Sequence, residues 1–292
     1  MRAAVIDVGS NTVRLLVATL MEGSVKAIHE ERCAVGLARE IERTGCVPED
    51  KIAQATEVAR HYARAAAKAG SVRTDVLVTA PGRQSENGAE LVDAIAAATG
   101  LPVRALSAED EGQLAFAGVL STLTEQPESI TVCDVGGGST QLVFGTAAGP
   151  AWVRTLDIGS LRLAQRYLTN DPPSPDELDR LRSSVESSFS GVASPLPRCA
   201  AATGGTARAL RKIVGRTLGP KQLAEAEAKL RAAPAAEIAD EHGLPLWRAE
   251  ILAAGVVVLS EAQRRLGVPL VVARAGLREG AVLESLAAAR AA

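Results

Sequence analysis

Three short glycine-containing runs each follow an apolar stretch of the chain: Gly9-Ser10-Asn11, Gly136-Gly137-Gly138-Ser139 and Gly204-Gly205-Thr206. Turns of this kind line up consecutive backbone N–H groups into a concavity that takes anions. Glycine lets the backbone approach such a ligand closely. Two of the runs are preceded by a carboxylate, Asp7 and Asp134. A carboxylate beside a phosphate cradle makes chemical sense when a cation stands between them, and Mg2+ suits such oxygen ligands. One run alone reads as a tight turn with Asp as turn former. Three in one chain, two of them copies, read as a phosphate site. Beyond the third run, Arg208, Arg211, Lys212 and Arg216 stand at i, i+3, i+4 and i+8. That spacing puts them on one helix face. The face is either a track for a long polyanion or a solvated charged surface.

The elements that must hold these residues follow from the pattern. Arg2 to Asp7 is a buried strand, and Thr12 to Thr19 pairs back on it as a hairpin, with Ser24 to Val35 completing a meander. Pro48 to Ala69 is an Ala-rich helix whose first turn tolerates the proline. Asp75 to Thr79 is a short buried strand. Gly88 to Thr99 is a helix closed by Gly100. Val103 to Leu106 is a strand, and Ser107 with Asp110 caps a helix running through Leu120. The pattern then restarts: Ser129 to Asp134 is a strand and Thr140 to Gly145 its hairpin partner. Asp-Val-Gly recurs at an offset of 127 residues, at 7 and at 134, which marks a duplicated βββ-α unit. Helices follow near Leu161 to Leu168 and from Asp176. Arg198 to Thr203 is a strand, helices occupy Thr206 to Leu266, and a strand at Val268 to Ala273 leads to a last helix, Leu277 to Ala289.

Length and composition bound the answer. The chain has 292 residues, 32 Lys and Arg against 34 Asp and Glu, and 47% hydrophobic residues. Two domains fit that length. Near-neutral charge argues against general nucleic-acid binding, and 2% aromatic residues leave little for base-stacking platforms. Four cysteines and three histidines are scattered without metal-ligand spacing. The apolar run around Ile251 to Leu259 is far short of a membrane span, and Asp7 interrupts the first apolar stretch, so no signal peptide is expected. A cytoplasmic protein is expected. His61 has no carboxylate beside it in sequence, and Cys133 reads as a small apolar filler. Trp152 and Trp247 read as core or domain-interface residues.

The constellation resembles the actin, hexokinase and heat-shock-chaperone ATPase superfamily. Within it the chain resembles the exopolyphosphatase / guanosine pentaphosphate phosphohydrolase family in its short two-domain form. The resemblance rests on Asp7-Val8-Gly9-Ser10-Asn11-Thr12, Asp134-Val135-Gly136-Gly137-Gly138-Ser139-Thr140, Ala202-Thr203-Gly204-Gly205-Thr206 and Gly276-Leu277-Arg278-Glu279-Gly280. Weaker matches lie at Thr79 to Asn87 and Ser107 to Gly112. It implies an α/β fold of two actin-like (ribonuclease H-like) domains with an interdomain cleft. The first would span 1–124, completed by a C-terminal helix at about 277–292, and the second 125–276. It further implies removal of terminal phosphate from inorganic polyphosphate or guanosine pentaphosphate by water. In that reading Asp7 and Asp134 serve Mg2+ or Mn2+. Gly9, Ser10, Asn11, Thr12, Gly136, Gly137, Gly138, Ser139, Gly204, Gly205, Thr206 and Arg208 hold phosphate. Glu111 orients or deprotonates the water, and Arg83 grips a phosphoryl group; a surface arginine on a loop is the alternative for Arg83, because Pro81-Gly82 precedes it where the family has a helix-compatible pair. Gln141 departs from the family, which generally has Glu after Gly-Gly-Gly-Ser-Thr. That departure leaves open weakened metal binding with slow turnover, a changed preference for substrate or metal, or an alarmone- or nucleotide-binding regulator with vestigial hydrolysis, while a kinase lacks any visible adenosine pocket. The resemblance also implies a homodimer, with neither nucleic acid nor membrane as partner.

Overall fold

The computed structural model describes residues 1–291. The chain forms two compact units, Met1–Leu123 with the segment from Ala275 onward, and Thr124–Arg274. In the first unit, β1 (Arg2–Val8), β2 (Thr12–Met21) and β3 (Ser24–Ala34) make an antiparallel meander. There follow α1 (Leu37–Thr44), α2 (Glu49–Lys68), β4 (Arg73–Val78), α3 (Ala80–Gln84), α4 (Gly88–Thr99), β5 (Val103–Ala105) and α5 (Ala108–Leu120). The sheet order is β3-β2-β1-β4-β5, with β1, β4 and β5 parallel.

β1 is apolar from Ala3 to Ile6 because both of its faces are covered there. Ala4, Ile6 and Val8 enter a core with Tyr62 of α2 and Leu91 and Ile95 of α4. Ala3 and Val5 point the other way, into a core with Leu106 and Leu114. Each fully buried Val or Ile contributes about 1.5–3 kcal/mol over an exposed one. α5 opens on the expected cap: Ser107 Oγ accepts the Asp110 N–H at 3.0 Å, and Asp110 Oδ2 accepts the Ser107 N–H at 3.1 Å. α1 was not expected. It is a short helix between two left-handed glycines, Gly36 and Gly45, that buries Leu37, Ala38 and Ile41.

The second unit repeats the plan. β6 (Ile130–Val135), β7 (Thr140–Thr146) and β8 (Gly149–Leu156) form a second antiparallel meander. After it come α6 (Ser160–Tyr167), α7 (Pro175–Phe189), β9 (Cys199–Thr203), α8 (Gly204–Val214), β10 (Thr217–Leu218), α9 (Pro220–Ala232), α10 (Ala235–His242), α11 (Leu246–Ala249), α12 (Leu252–Leu266) and β11 (Leu270–Val272). The order β10-β11-β9-β6-β7-β8 mirrors the first sheet, with β6, β9 and β11 parallel. β10 was not expected, being two residues long. α12 is the apolar segment around Ile251 to Leu259; it is almost wholly buried. No single helix among the described residues is long and apolar enough to cross a membrane.

The chain then returns to the first unit as α13 (Leu277–Ala291); residue 292, the end of the expected closing helix, lies outside the described residues. α13 covers the second face of the first sheet with Ala281, Val282 and Leu286. It crosses α5 at contact distance. A Cβ on Gly280 would stand 1.9 Å from the Leu114 carbonyl oxygen, and one on Gly118 2.0 Å from that of Gly276. Only glycine permits that approach. Ser285 Oγ donates to the buried Asp75 carboxylate of β4, and Arg104 of β5 pairs with Glu284 at 3.1 Å.

Candidate functional site

Two half-sites emerge, one in each unit, at the carboxyl ends of the parallel strands, where open α/β sheets bind ligands. In the first, the turn after β1 is closed by Gly9 N–H donating to Thr12 O at 3.0 Å. The Gly9 amide is therefore spent inside the turn, which corrects its assignment as an anion donor. The Ser10 and Asn11 carbonyls accept the N–H groups of Ala38, Val35 and Gly36, so the loop into α1 clamps this turn from behind. Asp7 lies directly across the hairpin from Arg14, and Arg14 Nε donates to the buried Thr12 Oγ1 at 3.0 Å.

The neighbouring strand ends bring Thr79, Arg83 and Glu111 to the same edge. Thr79 N–H donates to Val8 O at 3.1 Å and begins α3. Pro81 occupies the first turn of α3, where its missing N–H costs nothing, so Arg83 sits on a helix and not on a surface loop. Its Nη1 donates to Leu106 O at 2.6 Å and to Glu111 Oε1 at 2.5 Å. Its Nη2 is buried with no hydrogen-bond partner among the described residues. Glu111, one turn into α5, is only 6% exposed. A half-buried guanidinium whose Nη2 is a buried spare donor, beside a buried carboxylate, is suited to an oxyanion.

In the second unit, the Gly136 N–H likewise closes its turn on Ser139 O at 3.0 Å, and the same correction applies to it. The Gly137 carbonyl accepts the N–H groups of Leu161 and Arg162, and that of Gly136 accepts Ser160, so the start of α6 pins this run. The Gly138 position is buried within it. Asp134 stands across the hairpin from Gln141 and, on its other side, beside Thr203 of β9. Gln141, 2% exposed, donates from Nε2 to Ser139 Oγ at 3.0 Å.

The third run meets the second at Gly204. Its φ is +91°, and an added Cβ would lie 2.6 Å from Asp134 Oδ1 and 2.7 Å from Val135 O, so no larger residue fits. α8 begins here rather than at Thr206. A helix start is an anion site in its own right. Thr206 is fully buried, with its methyl against Gly255 of α12, so its side chain faces the core and not a ligand. Arg208 is half-buried in the next turn. Arg211 and Lys212 are exposed on α8, Lys212 donating to Gly243 O at 2.6 Å. Arg216 lies beyond the Gly215 cap, so the four-residue basic face breaks there.

Arg248 of α11 was missed. Its Nη2 would be 2.4 Å from a Cβ on Gly205, and its guanidinium lies 4.5 Å over the Trp247 ring. A cation stacked on an aromatic face is held in orientation, and this one points at the start of α8. Trp247, half-buried, thus carries an arginine rather than filling a core. His61 also departs from expectation: its Nε2 lies 3.3 Å from Glu31 Oε2 of β3, a carboxylate distant in sequence, and His29 holds the other oxygen at 2.7 Å. Burial pushes the Cys133 thiol well above the usual range, so it stays a thiol.

Among the described residues no group of three or more His, Cys, Asp or Glu is disposed to hold a metal. Within each unit the hairpin offers one carboxylate, and its cross-strand neighbour is a hydrogen-bond donor, Arg14 or Gln141, rather than a second anion. Neither half-site, taken by itself, fits a resident divalent ion.

Both sheets, their shared order and the paired turns define a two-unit actin-like α/β fold. Residues 16–289 match the model of the Ppx/GppA phosphatase family, and the chain belongs to that family. It is 30% identical to an uncharacterized protein of Streptomyces coelicolor, over 98% of this chain and 90% of that one. It is 28% identical to Exopolyphosphatase 1 of Mycobacterium tuberculosis, over 98% and 88%. The crystal structure of the Aquifex aeolicus Ppx/GppA family member superposes with a TM-score of 0.85 at 27% identity, covering 99% of this chain and 98% of that one.

Proposed function

We propose that the chain is an exopolyphosphatase that releases terminal phosphate from inorganic polyphosphate by attack of water on a phosphoanhydride. The observation that carries this reading is the Arg83–Glu111 pair, with the buried second guanidinium nitrogen beside it. Glu111 accepts the proton of the attacking water. Arg83 Nη2 donates to an oxygen of the transferring phosphoryl group, where charge develops. In the second unit the α8 N-terminus and Arg248 offer donors to phosphate oxygens. A divalent cation such as Mg2+ or Mn2+, were one to accompany the substrate, would supply charge neutralisation at phosphoryl oxygens. The full-length similarity to Exopolyphosphatase 1 supports the choice of substrate.

The test measures phosphate release from long-chain polyphosphate, guanosine pentaphosphate and ATP side by side, with and without Mg2+. Faster turnover of polyphosphate is expected. Preferential cleavage of the pentaphosphate would move the chain to the alternative phosphatase reading. Tight pentaphosphate binding with no hydrolysis of any of the three would make it a regulator.

A further inference from the structure

The two hairpins share a detail that the duplication makes legible. Thr12 and Ser139 are copies, as are Arg14 and Gln141, each pair separated by the same 127 residues as Asp7 and Asp134. In both hairpins the copied hydroxyl residue gives its carbonyl to the glycine N–H that closes the turn, at 3.0 Å. In both, its side-chain oxygen accepts a hydrogen bond, again at 3.0 Å, from the residue two positions on. Arg14 has only donors to offer, so the polarity of the first contact is fixed. Gln141 makes the same contact with its amide. A hydroxyl has one proton and two lone pairs. With a lone pair of Ser139 engaged by Gln141, its proton is left to be given.

We infer that Gln141 sets the Ser139 hydroxyl as a donor to a phosphoryl oxygen, so that this chain takes up its divalent cation together with the substrate rather than holding it beforehand. The inference rests on the phosphoanhydride reading above and deepens it. A glutamate at 141 would accept from Ser139, turn a hydroxyl lone pair outward, and add a negative charge one strand away from Asp134. Two carboxylates directly opposed on a hairpin repel, and a cation relieves that repulsion. An amide beside one carboxylate removes both the repulsion and the resident cation site. The half-site becomes a set of N–H and O–H donors: Ser139, the start of α8 and Arg248.

The experiment uses the full chain, free of substrate. Mn2+ binding is followed by electron paramagnetic resonance and tripolyphosphate binding by calorimetry in EDTA, for wild type, Gln141→Glu and Ser139→Ala. Thermal unfolding of each is recorded with and without Mn2+. Wild type is expected to bind tripolyphosphate without metal and to bind free Mn2+ at least tenfold more weakly than Gln141→Glu. Gln141→Glu should lose tripolyphosphate affinity at least tenfold, melt lower than wild type in EDTA, and recover with Mn2+. Ser139→Ala should lose tripolyphosphate affinity with no gain in Mn2+ binding, and it serves if Gln141→Glu fails to fold. Equal Mn2+ affinity in wild type and Gln141→Glu would overturn the inference, as would wild-type tripolyphosphate binding that requires Mn2+ or an unaltered affinity in Ser139→Ala. None of these readouts needs turnover. A wild type that binds as expected but hydrolyses no polyphosphate ends the functional reading alone.

Discussion

The hairpin of the first unit and that of the second start from one plan and end in different chemistry. Each has an aspartate at the end of its first strand, a glycine closing the turn, and a buried hydroxyl held by a donor two residues on. The differences lie in what neighbouring strands bring. β4 and β5 lead into α3 and α5, which deliver Arg83 and Glu111. β9 leads directly into α8, whose start faces Asp134 and Arg248. In the proposed reaction the first set supplies the proton acceptor and the second supplies donors. Duplication kept the cradle and let the following helices divide the labour.

That division can be broken residue by residue. The largest effect is expected for Glu111→Gln, which keeps size and removes the proton acceptor. kcat on polyphosphate should fall ~10²–10⁴-fold with KM nearly unchanged. An equal loss in KM would make Glu111 a binding group and erase the contrast between the half-sites. Next is Arg83→Ala, which removes the donor aimed at the developing charge; a fall in kcat of ~10²–10³-fold is expected from steady-state rates. In the second unit, Arg248→Ala should act mainly on binding. Losing one charge-assisted contact, about 1.5–3 kcal/mol, raises KM by roughly tenfold or more while kcat changes less. A kcat effect as large as that of Arg83→Ala would mean that both units act on the reacting phosphate. The smallest effect belongs to Arg211→Ala combined with Lys212→Ala. Exposed charges contribute about 0–1 kcal/mol and are screened by salt, so KM for long-chain polyphosphate should rise only a few-fold at low salt. The rise should vanish at high salt and be absent for tripolyphosphate.

Much of this arrangement was legible in the sequence, because the signals were local. The paired Asp-Val-Gly turns, the Ser107–Asp110 cap and the Gly100 stop each depend on a few adjacent residues, and each lies where its pattern puts it. α1 and β10 were too short for periodicity to register. The spacing of the basic residues after Gly204 was correct for a helix, yet Gly215 ends α8 before Arg216. Arg248 carried no local signal, since its meaning comes from a contact with Gly205 some forty residues earlier. Glu31 beside His61 was hidden for the same reason. Arg14 is different. The 127-residue offset maps it onto Gln141, so the duplication held the clue to its place opposite Asp7.

The return of α13 has a consequence for how the molecule is made. Until α13 emerges from the ribosome, Leu16, Leu77 and Leu106 lack Ala281, Val282 and Leu286 as core partners, and the Asp75 carboxylate lacks its Ser285 partner. All of the second unit, about 150 residues, is synthesised in that interval, roughly 8–30 s at ~5–20 residues per second. The second unit is continuous in sequence. The unit bearing Arg83 and Glu111 waits with this apolar core incomplete, a window in which chaperone engagement or aggregation competes with completion. The nascent chain thus completes the unit bearing Asp134 and Gly204 before the unit bearing Arg83 and Glu111 has its last helix.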